Sequence, residues 1–86
     1  MNEPEYGNLT GTVVDHQGTA LPGAYITITG QGTPQFSVTN IDGAFCFNEI
    51  TVGFYNVEAR LDGFQTAVAP DVYVGASQTT QIQLTV

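Results

Sequence analysis

Apolar and polar residues alternate with a period of two along most of this chain. From Leu9 to Asp15 the sequence reads LTGTVVD, and from Ala24 to Thr29 it reads AYITIT. Successive side chains of a β-strand point to opposite faces, so this alternation predicts strands with one buried face. No segment repeats its apolar residues with a helical period of 3.6 over more than one turn. The sequence therefore predicts an all-β fold.

Glycine and proline residues separate about seven such segments. Pro22, Pro34 and Pro70 fall between segments, where a missing N–H costs the sheet no hydrogen bond. The spacing is typical of a β-sandwich or barrel. The predicted strands cover residues 9–15, 24–29, 36–39, 44–47, 55–61, 66–69 and 80–86, and residues 72–74 continue or restart the sixth strand after Pro70.

The chain has 86 residues, the size of one small domain. A domain this short buries only about 60% of the surface that its unfolded chain exposes. The single cysteine excludes an intrachain disulfide, and no Cys/His group has zinc-ligand spacing, so we expect no cofactor or structural metal. Residues 1–7 are predicted to be an N-terminal tail or residues added for expression, and residues 8–86 a single domain.

The charge balance is strongly acidic. Eight acidic residues against Arg60 give a formal net charge of −7. Nucleic acids and anionic membranes are bound through clusters of Lys and Arg, so neither is an expected partner. There is no apolar run long enough to span a bilayer, and the start of the sequence lacks the basic and apolar regions of a signal peptide. We expect the chain to be an excised or mature domain.

The stretch from Thr39 to Phe47, TNIDGAFCF, combines a turn with the cysteine. Asp42 and Gly43 are typical turn residues, because glycine tolerates positive φ and the Asp side chain can bond the backbone across the turn. Phe45 and Phe47 should share one face of the next strand, with Cys46 on the opposite face. A nucleophilic cysteine needs a base, and the only histidine, His16, lies in a predicted loop. The structural interpretation is therefore favoured over catalysis.

Taken together, the motifs resemble the carboxypeptidase regulatory-like domain. The pattern begins as G-x-V-x-D-x-x-G-x-x-L-P-G-A from Gly11 and continues as T-x-x-D-G-x-F-x-F from Thr39. It then reads G-x-Y-x-V from Gly53 and G-F at Gly63, and ends in an alternating strand. The resemblance covers about nine tenths of the chain, and the order and spacing of these elements carry it.

The resemblance implies a seven-stranded antiparallel Greek-key β-sandwich of the transthyretin (prealbumin) type. Members of the family are mostly accessory modules of larger proteins, and the LPGA and GF forms are similar to those of bacterial receptor and surface proteins. The resemblance thus implies a secreted, periplasmic or cell-surface location. It also implies that the motif residues are fold determinants instead of a catalytic site: Gly11, Pro22, Gly23, Asp42, Gly43, Phe45, Gly53, Tyr55, Gly63 and Phe64.

The residue inventory weighs against enzymes that share related folds. A hydroxyisourate hydrolase needs more than one histidine and a Tyr-Arg-Gly-Ser C-terminus, and an intradiol dioxygenase needs two His and two Tyr ligands on iron. This chain has one histidine and ends in QLTV. It also has no lysine for the isopeptide bond of adhesin stalk domains. We expect a non-catalytic spacer, folding support or protein-interaction platform, whose partners are neighbouring domains of a parent chain or another protein.

Two ligand-binding alternatives remain open. Calcium takes several carboxylate and carbonyl oxygens, and four aspartates lie at predicted turns; no D-x-D-x-D-G run brings them together. Carbohydrate is bound on exposed aromatic rings, and Tyr25 and Tyr73 are the candidate ligand residues, although tyrosine often simply covers a sheet. The four turn aspartates are Asp15, Asp42, Asp62 and Asp71.

The outward-facing residues of the strands also bear on assembly. Strand edges that carry Thr, Gln and Asn but few charges are weakly protected against pairing with another chain. Gln81 and Gln83 are outward-facing residues of this kind on the last strand. We expect one sheet edge to be covered, either by a neighbouring domain or by a second copy of this chain.

Overall fold

The computed structural model describes residues 5–86, which form seven β-strands and no helix. The predicted number of strands and the all-β class are confirmed. No helix in residues 5–86 is long and apolar enough to cross a membrane. The strands are β1 (Tyr6–Val14), β2 (Tyr25–Thr29), β3 (Gln35–Val38), β4 (Ala44–Thr51), β5 (Gly53–Arg60), β6 (Ala67–Val74) and β7 (Thr79–Thr85).

The strands form two sheets that pack face to face as a β-sandwich. One sheet has the order β4-β1-β7 and the other the order β3-β2-β5-β6. Alternate residues of each strand point into the space between the sheets, as the period of two predicts. The most deeply buried large side chains are Tyr55, Leu9, Ile26, Ile28, Val13, Val57 and Val74.

One strand pair departs from the predicted antiparallel arrangement. β1 is antiparallel to β4 but parallel to β7, from Asn8 opposite Thr79 to Val14 opposite Thr85. The direction of β7 follows from the short turn at residues 75–78, which reverses the chain after β6 and carries it into the other sheet. The first and last strands therefore run side by side in the same direction, and Tyr6 and Thr85 lie at opposite ends of their sheet.

The backbone accommodates local irregularities within strands. The predicted end of the fourth strand and the predicted start of the first were wrong, whereas the sixth strand follows one of its two predicted alternatives and continues past Pro70. β4 continues to Thr51 past Glu49, whose φ is 54°, and β6 continues through Pro70 to Val74 with Asp71 at a φ of 57°. Such bulges let an edge strand continue past a residue that does not pair regularly. β1 starts at Tyr6, so the end of the predicted tail is part of a strand; residues 1–4 lie outside the described part of the chain.

Candidate binding surface

The outer face of the four-stranded sheet carries a cluster of exposed apolar side chains. Strand register aligns Val38, Tyr25 and Arg60 in one row across β3, β2 and β5, and Phe36 lies two residues from Val38 on the same face. Phe36 is 74% exposed, Tyr25 62% and Val38 52%. We call these four residues the Tyr25 surface. Contiguous exposed apolar residues are typical of interaction sites, whereas single ones are not.

Arg60 supplies the positive charge of this surface. It is the only Lys or Arg in the sequence. Its Nε atom lies 3.4 Å from Oε1 of Glu58, and the two side chains are 63% and 42% exposed. An ion pair this exposed contributes little to folding stability. The guanidinium thus keeps donors free for a partner beside the Tyr25 ring.

Two shallow grooves of about 370 Å³ each lie on either side of Tyr25. The first is bounded by Phe36 and Val38 of β3, and its lining is mainly apolar. The second follows the loop after β5 and includes Asp62, Phe64 and Thr66. Tyr25 and Arg60 line both grooves. One side of the Tyr25 surface is therefore hydrophobic, and the other offers a carboxylate and a hydroxyl.

The alternation of β2 explains why Tyr25 is at the surface. Ile26 and Ile28 are buried, so Tyr25 points outward, as the sequence predicts. Sequence reasoning did not identify Phe36, Val38 or Arg60 as part of a surface. The available signal was the pattern QFSV in β3, where the large apolar residues occupy the outward positions; cross-strand neighbours are set by register, which the sequence does not give.

Tyr73, the second predicted ligand candidate, lies elsewhere on the same face. It is 53% exposed and pairs with Phe54, and the two ring centroids are 5.0 Å apart with an interplanar angle of 54°. Along β5, Phe54 is six residues from Arg60, which corresponds to roughly 20 Å. The structure therefore does not bring Tyr25 and Tyr73 into one site. Whether either tyrosine binds a ligand stays a prediction.

Cys46 faces solvent between two buried phenylalanines, as its position predicts. Phe45 and Phe47 are buried, whereas Cys46 is exposed and its Sγ lies 3.0 Å from Oδ1 of Asn48. Cys46 is opposite Thr10 in the register of β1 and β4. The end of β1 is four residues from Thr10, roughly 13 Å, and His16 lies in the turn beyond it. The structure does not bring His16 next to the thiol.

The turn before β4 uses a different side chain from the one predicted. Oδ1 of Asn40 accepts hydrogen bonds from the amides of Asp42 and Ala44, at 2.9 and 3.0 Å. The carboxylate of Asp42 makes no hydrogen bond among residues 5–86 and is exposed. Asn40 rather than Asp42 thus bridges the turn, because its side chain sits at the first position, where it reaches the amides two and four residues on.

Thr39, the first residue of the same motif, is buried and fully hydrogen-bonded. Its hydroxyl donates to the carbonyl of Leu21 at 2.7 Å and accepts from the amide of Ala24 at 2.9 Å. This links the turn before β4 to the segment that enters β2. These two hydrogen bonds explain why a polar residue is tolerated in this buried position.

The motif residues occupy different environments. Phe45 and Tyr55 are in the core, and the hydroxyl of Tyr55 donates to the carbonyl of Thr51 at 2.6 Å. Burial raises the pKa of the Tyr55 hydroxyl. Phe64 is 42% exposed and lines the second groove instead of the core. Gly53 was predicted to lie between strands but is the first residue of β5. The remaining residues of this set lie in the turns or strands from which they were predicted: Gly11, Pro22, Gly23, Asp42, Gly43 and Gly63.

The acidic residues do not assemble into a recognisable metal centre within residues 5–86, where no three His, Cys, Asp or Glu side chains lie close enough to hold an ion. Asp15 has a local role: its Oδ1 accepts from the amides of Gln17 and Thr19 and closes the turn after β1. The calcium alternative gains no observation from this arrangement.

The fold and the candidate site together define a class of protein: a two-sheet β-sandwich with exposed aromatic and arginine side chains on one face. The sequence model of the carboxypeptidase regulatory-like domain matches residues 8–86. The chain belongs to this family. No curated protein sequence matches the chain significantly.

Several solved structures share the fold at low sequence identity. The Bacillus anthracis TIE protein gives a TM-score of 0.77 at 16% identity, over 94% of this chain and 16% of that one. A chlorocatechol 1,2-dioxygenase from Pseudomonas putida gives 0.78 at 13%, over 99% and 61%. A putative carbohydrate binding protein from Bacteroides uniformis gives 0.71 at 18%, over 95% and 42%. The chain thus spans less than two thirds of each of these three proteins.

Proposed function

We propose that this chain is a non-catalytic accessory module of a larger secreted, periplasmic or cell-surface protein, in which it separates its neighbours and presents the Tyr25 surface to another domain or protein. The proposed partner has an apolar area that covers Phe36 and Val38 and a hydrogen-bond acceptor for Arg60.

The observation that carries this proposal is the composition of the Tyr25 surface. Tyr, Phe and Arg are enriched in protein interfaces, and Tyr and Arg are frequent where most of the binding energy resides. On this chain, the single arginine lies in the same cross-strand row as Tyr25. A partner carboxylate that pairs with Arg60 would meet the only Lys or Arg of an otherwise acidic chain. The surrounding acidic groups would disfavour acidic partners that do not align with Arg60.

The course of the chain supports a spacer role. Because β1 and β7 are parallel neighbours, the chain enters β1 at one end of the sandwich and leaves β7 at the other. The described part is elongated, with principal dimensions of 48, 19 and 17 Å. Segments that precede and follow such a module are held apart along its long axis. The three similar structures described above are larger chains of which this fold is a part, which is consistent with a modular role.

The absence of catalysis is part of the proposal. The thiol of Cys46 lies beside the amide side chain of Asn48, with His16 beyond the far end of the neighbouring strand. The similarity to the dioxygenase is a similarity of fold at 13% identity. Function depends on the residues placed on a fold, and shared architecture alone does not transfer chemistry.

Hydroxyl-radical footprinting tests the platform proposal. The isolated chain should be labelled at Tyr25 and Phe36, which are exposed, and the same residues should be protected several-fold in the larger protein that contains the chain. Ile41, 87% exposed in a loop outside the Tyr25 surface, is the internal control and should stay labelled in both. Equal labelling of Tyr25 and Phe36 in the two samples would exclude this surface as the covered one.

A carbohydrate-binding role is the second candidate, and the groove beside Asp62 and Thr66 favours it. An exposed Tyr25 ring next to a carboxylate, a hydroxyl and a guanidinium has the elements that stack on and hydrogen-bond a sugar. Amide chemical shifts of the labelled chain should then move on titration with neutral oligosaccharides. The shifts should be saturable, confined to this groove and lost in Tyr25→Ala, whereas Tyr73→Ala is the matched control. A spectrum unchanged by every oligosaccharide would remove this candidate and leave the platform proposal standing.

A further inference from the structure

The two sheets have four edge strands, and three of them have features that hinder pairing with another chain. β3 has only four residues and follows Pro34, and β6 contains Pro70 with Asp71 at positive φ. β4 is interrupted by Glu49, which combines a charge with a φ of 54°. Short length, proline, bulges and charge are the devices that keep edges from pairing with other chains. The fourth edge, β7, lacks all of them.

β7 reads TTQIQLT, without proline, charge or positive φ. Gln78 accepts from the amide of Asn8, and Val86 donates to the carbonyl of Val14, so even-numbered residues aim their backbone groups at β1. Successive residues of a strand aim these groups to opposite sides. The odd-numbered residues therefore aim theirs at the free edge, where no strand of residues 5–86 pairs with them. They are Thr79, Gln81, Gln83 and Thr85.

We propose that β7 pairs antiparallel with β7 of a second copy of this chain, which joins two three-stranded sheets into one six-stranded sheet. The edge is complementary to itself. With the twofold axis at Ile82, Thr79 faces Thr85 of the second copy, and Gln81 faces Gln83. All four residues with free backbone groups then form hydrogen-bonded pairs, about eight hydrogen bonds in total.

Side chains support this register. Gln81 and Gln83 are exposed on the same outer face, so each amide meets its counterpart across the axis, where amides can donate to and accept from each other. On the inner face, Ile82 is only partly buried against the core. In the proposed pairing the two Ile82 side chains meet at the axis and cover each other.

The distribution of charge favours association of two copies through the β7 edge over association through other parts of the surface. Each chain carries a net charge of −7, so two copies repel each other wherever acidic residues meet. β7 carries no charged side chain. Long-range repulsion between the copies is screened by salt, whereas backbone hydrogen bonds are not. The association should therefore be weak and should strengthen with ionic strength.

Sedimentation velocity from micromolar to millimolar concentration, at low and at moderate salt, tests this pairing. The mass should rise from 9.1 kDa towards twice that value, and the midpoint should move to lower concentration as salt increases. In Gln81→Lys/Gln83→Lys, lysines face each other across the axis and the dimer should be lost. Asn48→Lys places one lysine on the opposite edge strand and should leave dimerisation unchanged.

A charge-swapped variant tests the register itself. Gln81→Glu/Gln83→Lys places the introduced carboxylate of each chain opposite the introduced ammonium group of the other. This variant should therefore dimerise, more weakly as salt rises. Thermal unfolding followed by circular dichroism verifies that each variant is folded. A wild-type chain that stays monomeric at millimolar concentration in moderate salt overturns the proposal. Equal loss of the dimer in the charge-swapped variant overturns the register.

Discussion

Gly11 on β1 and Phe45 on β4 lie opposite each other, and the Phe45 ring fills the space that a side chain at Gly11 would occupy. A Cβ atom built at Gly11 would lie 2.5 Å from Cζ of Phe45 and 2.7 Å from the carbonyl oxygen of Ile82. Gly11 is therefore selected by packing, since its φ is not in the left-handed region. The glycine allows an aromatic ring to seal the core from the neighbouring strand.

The first prediction follows from this contact. Gly11→Ala should lower the free energy of unfolding by about 1 to 3 kcal/mol because the methyl group overpacks the site. Chemical denaturation measures the loss. In a Phe45→Leu background the same substitution should cost less, since the smaller side chain leaves room. An unchanged cost in that background would attribute the effect to the Ile82 carbonyl instead of the ring.

The turn before β4 gives a paired prediction. Asn40→Ala removes an acceptor of two backbone amides and should cost about 1 to 2 kcal/mol of unfolding free energy. Asp42→Ala removes a side chain without such bonds and should change stability by less than about 0.5 kcal/mol. Urea denaturation of the two variants side by side compares them. A larger loss for Asp42→Ala would assign the turn to the aspartate, contrary to the geometry.

Tyr55 predicts a pH dependence at alkaline pH. Burial raises its pKa above the ordinary value of 10.0, so the folded chain keeps this proton where the unfolded chain has lost it. The stabilisation is complete below about pH 10 and is lost as pH rises through the folded pKa. The unfolding free energy should thus fall as the pH rises above about 10, the ordinary pKa that the unfolded chain has. Tyr55→Phe should flatten this part of the profile.

Substitutions at two adjacent residues of β4 should change the stability by very different amounts. Phe45→Ala leaves a cavity in the core and should cost about 3 to 5 kcal/mol. Cys46→Ser, one position along, keeps a small exposed side chain and should change stability by less than about 0.5 kcal/mol. Thermal unfolding of the two variants measures both. A large loss for Cys46→Ser would mean that the outer face of β4 is covered.

Much of the fold follows from the sequence because alternation reports burial directly. The alternation of Ile26 and Ile28 with Tyr25 and Thr27 predicts both the strand and which of its faces is buried. Parallel pairing of β1 with β7 does not follow from alternation, because the same alternating pattern fits either direction. The sequence also left open whether β6 continues or restarts after Pro70, since proline ends most central strands but not an edge strand with a bulge.

The candidate surface was predictable only in part for a related reason. Tyr25 was predicted to face outward, but its relation to Arg60 and Val38 depends on register across three strands. Register is fixed by the joint packing of all inward residues, which no short window contains. Tyr73, predicted alongside Tyr25, lies at the other end of the same face because the register of β5 and β6 places it opposite Phe54.

The parallel course of β1 and β7 has a mechanical consequence. Tension applied to the two ends of the chain pulls β1 and β7 in opposite directions along their shared axis. The backbone bonds between them, from Asn8 to Val14, are then loaded all at once in shear. In a hairpin pulled from its open end they would be peeled apart one by one. A module built in this way resists stretching along its long axis better than its modest size implies.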